Sequence, residues 1–216
     1  MKIFLSYSNA DKKLAGQIKK IIENNGLDVF LAHDDIEPSE EWVKTILSEL
    51  NECDVFIPLL TKKFNKSNWT DQETGFALCR DIPIISLKVD VDPHGFIAKF
   101  QALRLNIDKL ESSIARLFKT FASKPSLKKI FRNALIEDFS NSNSFEEAKR
   151  KTKLLLAFDG YSSLQISKIM KATVENNQIY MSFDARDKLR YFIRQYEGSI
   201  KNKKLLKDFK QRTARR

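Results

Sequence analysis

The chain has 216 residues, 42% of them hydrophobic and 16 of them phenylalanine, with a formal net charge of +10. That length suits one medium domain with a buried core, or one domain and a smaller second one. Two cysteines (Cys53, Cys79), two histidines (His33, His94) and six glycines exclude a disulfide framework or CxxC pair, a multi-histidine metal site, and a GxGxxG or Walker loop.

In chain order, Lys2 to Tyr7 is a short apolar run expected to form a buried parallel strand ending at Ser6-Tyr7-Ser8-Asn9. Asn9 or Asp11 can cap the helix that follows, which carries Leu14, Ile18, Ile21 and Ile22 on one side. It stops at Asn24-Asn25-Gly26, with glycine where a left-handed cap belongs. Leu27 to Leu31 predicts a second strand. The polar stretch from Ala32 to Glu41 contains Asp34, Ile36 and the breaker Pro38, and Ser39 is placed to cap a helix with Trp42, Val43, Ile46, Leu47 and Leu50 along its apolar face.

Asp54 to Thr61 predicts a third strand buried on both faces. A loop over Lys62 to Asn68 then leads into a helix carrying Trp69 and Glu73, four residues apart and so on one face of adjacent turns. Such a pair can hold a planar ring and stabilise a developing positive charge, or it is a half-buried aromatic beside a solvated acid. Asp81-Ile82-Pro83 ends that helix, Ile84 to Val89 predicts a fourth strand, Ala102 to Leu105 a fifth, and Asp108 to about Phe121 a further helix. Strands alternating with helices predict a doubly wound α/β fold with a parallel sheet. Ligands of such sheets sit outside the carboxyl ends of the strands, so Ser6, Tyr7, the Asp34 to Trp42 loop and the Lys62 to Trp69 loop form the expected rim.

After Lys124-Pro125 the alternation stops, giving a domain of residues 1–123 and a mainly helical region of residues 124–216. Ser140 to Ser144 reads as a polar linker, Phe145 to Phe158 as a helix, and Ser162 or Ser163 as the cap of another helix running to Asn176-Asn177. Gln178 to Phe183 is expected to be a short extended piece, Asp184 to cap a last helix with Leu189, Phe192 and Ile193, and the end to be a lysine and arginine tail. Charge divides with the pattern: residues 1–123 carry 16 Lys/Arg against 18 Asp/Glu, residues 124–216 carry 22 against 10. So positive a block suits a polyanionic partner such as nucleic acid, or is a lysine-rich helical extension for oligomerisation or output. No apolar stretch of about eighteen residues is present to span a membrane and Ile3-Phe4-Leu5 is too short for a signal peptide, so a cytoplasmic protein without membrane attachment is expected.

Four ordered motifs carry a resemblance. Phe4-Leu5-Ser6-Tyr7-Ser8, then Asp34-Asp35-Ile36-Glu37-Pro38 leading to Trp42, then Cys53 to Leu60, then Ser67-Asn68-Trp69 with Glu73, together resemble a bacterial-type Toll/interleukin-1 receptor (TIR) domain, similar to the TIR NADases and cyclases of antiphage defence. The resemblance spans about 110 residues and leaves residues 124–216 uncovered. It implies a flavodoxin-like fold, self-association through TIR domains and, in many members, cleavage of the bond between nicotinamide and ribose in NAD⁺, the substrate, with no further cofactor and no metal. In antiviral immunity such enzymes deplete NAD⁺ or make an ADP-ribose-derived signal read by an effector protein. Other TIR domains are non-enzymatic adaptors. By resemblance Glu73 is the catalytic glutamate, and Ser6, Tyr7, Asp34, Ile36, Trp42 and Trp69 line the substrate site. Ser39 departs from the glycine that many members carry after the proline. Because nicotinamide is a good leaving group, a carboxylate at its ordinary pKa is expected to suffice at Glu73.

Overall fold

A computed structural model describes residues 1–31 and 42–214. Asp34, Ile36 and the expected cap Ser39 lie outside the described residues. The chain divides into two compact units, Met1–Lys128 and Lys129–Arg216.

The first unit runs β1 (Lys2–Ser6), α1 (Lys12–Glu23), β2 (Asp28–Leu31), α2 (Trp42–Glu52), β3 (Val55–Leu60), α3 (Asn68–Cys79), β4 (Leu87–Lys88), β5 (Leu103–Arg104) and α4 (Leu110–Ser123). The five strands pair in parallel in the order β2-β1-β3-β4-β5, so the winding reverses between β1 and β3, where a ligand crevice opens in sheets of this kind. One sheet face packs Phe4, Phe56 and Leu60 against Ile46 and Leu50 of α2 and Ala77 of α3, with the rings of Phe4 and Phe56 stacked 5.7 Å apart. Each such side chain taken fully out of water stabilises the fold by roughly 1.5–3 kcal/mol. α1 and α4 pack together and bury Ile18, Ile22, Leu117 and Phe121.

The helix ends follow local chemistry. Gly26, at φ 78°, closes α1 in the left-handed region. At the end of α3 the Ile82 N–H donates to the Ala77 carbonyl at 2.9 Å and the Asp81 N–H to the Leu78 carbonyl at 3.2 Å, the paired bonds of a Schellman cap. Its left-handed position is held by Asp81 at φ 52° instead of a glycine.

Three expectations change in this unit. The fourth strand pairs only at Leu87–Lys88, with an isolated bridge between Phe56 and Ile84 upstream. Phe56 exchanges bonds with the Pro83 carbonyl and the Ile85 N–H, and the Leu60 carbonyl accepts from Val89. The residue between them on that edge of β3 is Pro58, which has no N–H to give, so the ladder is interrupted there. Asp11 precedes α1 but makes no side-chain cap bond; its carboxylate is taken by Thr61 at 2.6 Å. On α2, only Ile46 and Leu50 are buried, whereas Val43 and Leu47 are 48% and 40% exposed. On a helix turning 100° per residue, position 47 falls on the flank of the stripe set by 46 and 50, whereas 43 points close to the direction of 50 but sits in the first turn of the helix.

The second unit is helical: α5 (Lys128–Ser140), α6 (Phe145–Leu155), α7 (Ser163–Glu175), α8 (Asn177–Tyr180), α9 (Phe183–Arg194) and α10 (Lys203–Arg212). Ser162 caps α7 in a reciprocal capping box with Gln165. The buried Lys151 ammonium joins α6 to the end of α5 through the Asp138 carboxylate at 3.0 Å and the Asp138 carbonyl at 3.0 Å. The expected extended piece at Gln178 to Phe183 is instead α8, turned by the Asn176 side chain accepting from the Gln178 N–H at 2.8 Å. Ser182, not Asp184, occupies the N-cap position of α9, and Asp184 pairs with Lys188 one turn on, at 2.8 Å. The expected basic tail is largely a helix, α10, which packs on α7 and buries Leu206 and Phe209. Two apolar residues at helical spacing, with Asn202 accepting the Leu205 N–H, order a segment whose lysines suggest a solvated tail.

Candidate functional site

The site is built where β1 ends and α3 begins. Side chains alternate along a strand, so Ser6, two residues after Phe4, faces the same side of the sheet as Phe4, toward α2 and α3. On α3 the inward stripe is Thr70, Glu73 and Ala77, spaced as one helix face. A glutamate thus occupies a core position, 2% exposed, opposite a serine that is fully buried. The Ser6 hydroxyl donates to Glu73 Oε2 at 2.5 Å. Among the described residues, the other carboxyl oxygen, Oε1, is buried and has no hydrogen-bond partner.

Burial raises the Glu73 pKa from 4.5 to about 7, and the Ser6 hydrogen bond opposes the rise. Withdrawing the carboxylate from water penalises its charged form, and one neutral donor compensates only in part. This corrects the expectation of an ordinary glutamate: near neutral pH, Glu73 is divided between its protonated and ionised forms.

The segment before α3 is fastened from both sides. Thr61, just past β3, donates to Asp11, and its hydroxyl oxygen accepts the Phe64 N–H at 3.1 Å. Lys63 approaches the same Asp11 carboxylate at 3.4 Å. The Thr70 hydroxyl lies 2.9 Å from the Phe64 carbonyl and 2.8 Å from the Ser67 carbonyl, which fixes the first turn of α3 and with it the direction of Glu73. Sequence reasoning missed this clamp of Asp11, Thr61 and Thr70. The visible signal was a threonine three residues before Glu73 at a core-facing helix position.

Trp42, at the start of α2, and Trp69, at the start of α3, meet edge to face with ring centroids 4.3 Å apart. Both are half-buried. Trp69 is therefore engaged with another indole, one turn from Glu73. Tyr7 is fully buried. The structure thus brings Ser6 to Glu73 and Trp42 to Trp69, while Asp34 and Ile36 lie outside the described residues. Among the described residues, no group of three or more His, Cys, Asp or Glu side chains could hold a metal ion, and no helix is long and apolar enough to cross a membrane.

A sequence model of the TIR domain matches residues 3–118, more than half of the chain. The chain belongs to the TIR-domain family. Among solved structures, it is similar to the TIR domain of the Toll-related Receptor TRR-2 from the lower metazoan Hydra magnipapillata, with 16% identity and a TM-score of 0.47 over 55% of this chain and 95% of that one. No curated protein matches the chain. The TIR match ends before the helical unit, and the Ser6–Glu73 pair and the two tryptophans all lie within it.

Proposed function

We propose that this TIR protein is an NAD⁺ glycohydrolase or ADP-ribosyl cyclase, acting in bacterial antiviral immunity by depleting NAD⁺ or by making an ADP-ribose-derived signal. The observation that carries the reading is the buried Glu73 carboxyl at the carboxyl-end rim of the sheet, one oxygen held by Ser6 and the other unengaged. Such a carboxylate has no packing role that an apolar residue would not fill better, and a strongly shifted acid at a sheet rim marks a working site. In the reaction the bond between ribose C1′ and the nicotinamide nitrogen breaks, and neutral nicotinamide leaves with the electron pair. Ionised Glu73 stabilises the oxocarbenium-like ribose through its hydroxyls. Water then adds to C1′ and loses a proton, giving ADP-ribose; an internal nucleophile in place of water gives a cyclic product. The half-buried indole of Trp42 suits stacking on a flat base, whereas the fully buried ring of Tyr7 presents no face to one. Because Glu73 is covered in this structure, turnover requires the cover to be displaced, which fits activation by assembly through TIR–TIR contacts.

A second reading, a non-enzymatic TIR interaction module, is favoured by one observation: Val43 and Leu47 of α2 present apolar side chains to solvent, as a protein contact surface does. The cationic helical unit, with 20 Lys/Arg against 10 Asp/Glu in residues 129–216, suits nucleic acid or an acidic protein as its partner. Incubating the purified chain with NAD⁺, alone and with phage-infected lysate, decides between the readings. The enzyme releases nicotinamide in at least one condition and loses that release in Glu73→Gln. Absence of Glu73-dependent release in both conditions, with full biological activity retained by Glu73→Gln, establishes the interaction module.

A further inference from the structure

We propose that Ser6 is a positioning residue that divides the labour of the Glu73 carboxyl group, holding Oε2 by its hydroxyl and leaving Oε1 as the oxygen that meets the substrate. The proposal rests on the glycohydrolase reading for what Oε1 does, but the holding role stands on geometry alone. Ser6 is fully buried at the last position of β1, beside Pro58 in the register with β3. Its hydroxyl spends its single proton on Glu73 Oε2, which leaves it none to donate to a ligand. A carboxylate can accept about four hydrogen bonds, and here one oxygen takes one bond while the other takes none.

The arrangement fixes orientation as well as charge. A glutamate has three side-chain torsions, and a buried donor on a central strand removes the freedom of the terminal carboxyl to rotate between equivalent faces. Among the described residues, no charged side chain on β1, β3, α2 or the turn before α3 contributes to the Glu73 shift; burial and Ser6 account for it. Ser6 is thus the one described group that favours the ionised form the chemistry uses. Without it, Glu73 holds its proton to higher pH and its two oxygens exchange places.

The test follows the Glu73 carboxyl carbon by NMR in the full chain labelled with ¹³C-glutamate, the signal assigned by its loss in Glu73→Gln. The wild-type carboxyl titrates near 7. In Ser6→Ala the midpoint rises by about half a pH unit or more, the direction expected when a donor to the charged form is removed, and Ser6→Thr, which keeps the hydroxyl, restores the wild-type midpoint. Where nicotinamide release is measurable, Ser6→Ala lowers kcat by about 10- to 100-fold at pH 7, with part of the loss recovered at pH 9 and little change in KM. An unchanged midpoint in a folded Ser6→Ala chain, or a folded Ser6→Thr chain that titrates like Ser6→Ala, overturns the assignment. A chain whose midpoint moves as expected but which never releases nicotinamide refutes the glycohydrolase reading and supports the role of Ser6.

Discussion

Glu73→Gln stabilises the protein at alkaline pH and does little at acidic pH. The folded-state pKa of about 7 lies above the ordinary 4.5, so the folded chain holds a proton that the unfolded chain has released across this interval. Stability therefore falls as pH rises from 4.5 to about 7, and above 7 the full cost of a buried carboxylate is present. At 1.36 kcal/mol per unit, the interval corresponds to about 3 kcal/mol, which glutamine, having no charge to desolvate, does not lose. For a unit of this size that is a rise in Tm of roughly 10 °C at pH 8.5. Both tryptophans of the chain, Trp42 and Trp69, lie in the first unit, so thermal unfolding followed by tryptophan fluorescence reports the unit that contains Glu73. The comparison is wild type against Glu73→Gln at pH 4.5 and pH 8.5. An equal difference in Tm at the two pH values refutes the reasoning, because a packing effect of the amide does not depend on pH.

The edge-to-face contact of Trp42 and Trp69 is expected to couple their substitutions. A double-mutant cycle with Trp42→Leu and Trp69→Leu, read by urea unfolding followed by circular dichroism, gives an interaction energy of about 1 kcal/mol; additive effects contradict the contact. Asp81→Gly, relieving a non-glycine residue at φ 52°, raises the stability of the first unit by about 0.5–1 kcal/mol without changing the Glu73 titration. Ser162→Ala removes the reciprocal cap of α7 and lowers the stability of the helical unit by about 1 kcal/mol. Hydrogen exchange that stays unchanged at the Gln165 amide in that variant contradicts the capping role.

The order of elements in the first unit is legible in the residues, because each element carries a local signature. Apolar runs of strand length lie between amphipathic helices, and a glycine stands at 26 where a helix must turn left-handed. The same pattern also placed Glu73 on a helix that starts at the carboxyl-end rim of the sheet, since parallel winding puts the helix that follows a strand's carboxyl end there. Local pattern was insufficient where long-range pairing decides. The fourth strand shortens because Pro58, on a different strand, offers no donor to it. The basic end folds because Leu206 and Phe209 find a surface on α7, and no window of lysines shows whether such a surface exists. Asp11 reads as a helix cap until Thr61, fifty residues away, takes its carboxylate.

The same division explains Glu73. Its residue type and its spacing from Trp69 are properties of the chain, and they suggested an acid at ordinary pKa. How far a carboxyl is withdrawn from water depends on everything packed around it, and only the tertiary structure showed that it turns inward to a single buried hydroxyl. Protonation near neutral pH was therefore decided by the fold. The alternation that turns Ser6 to the same face as Phe4 was already in the sequence, but the partner it meets was fixed by the packing of α3 on β3.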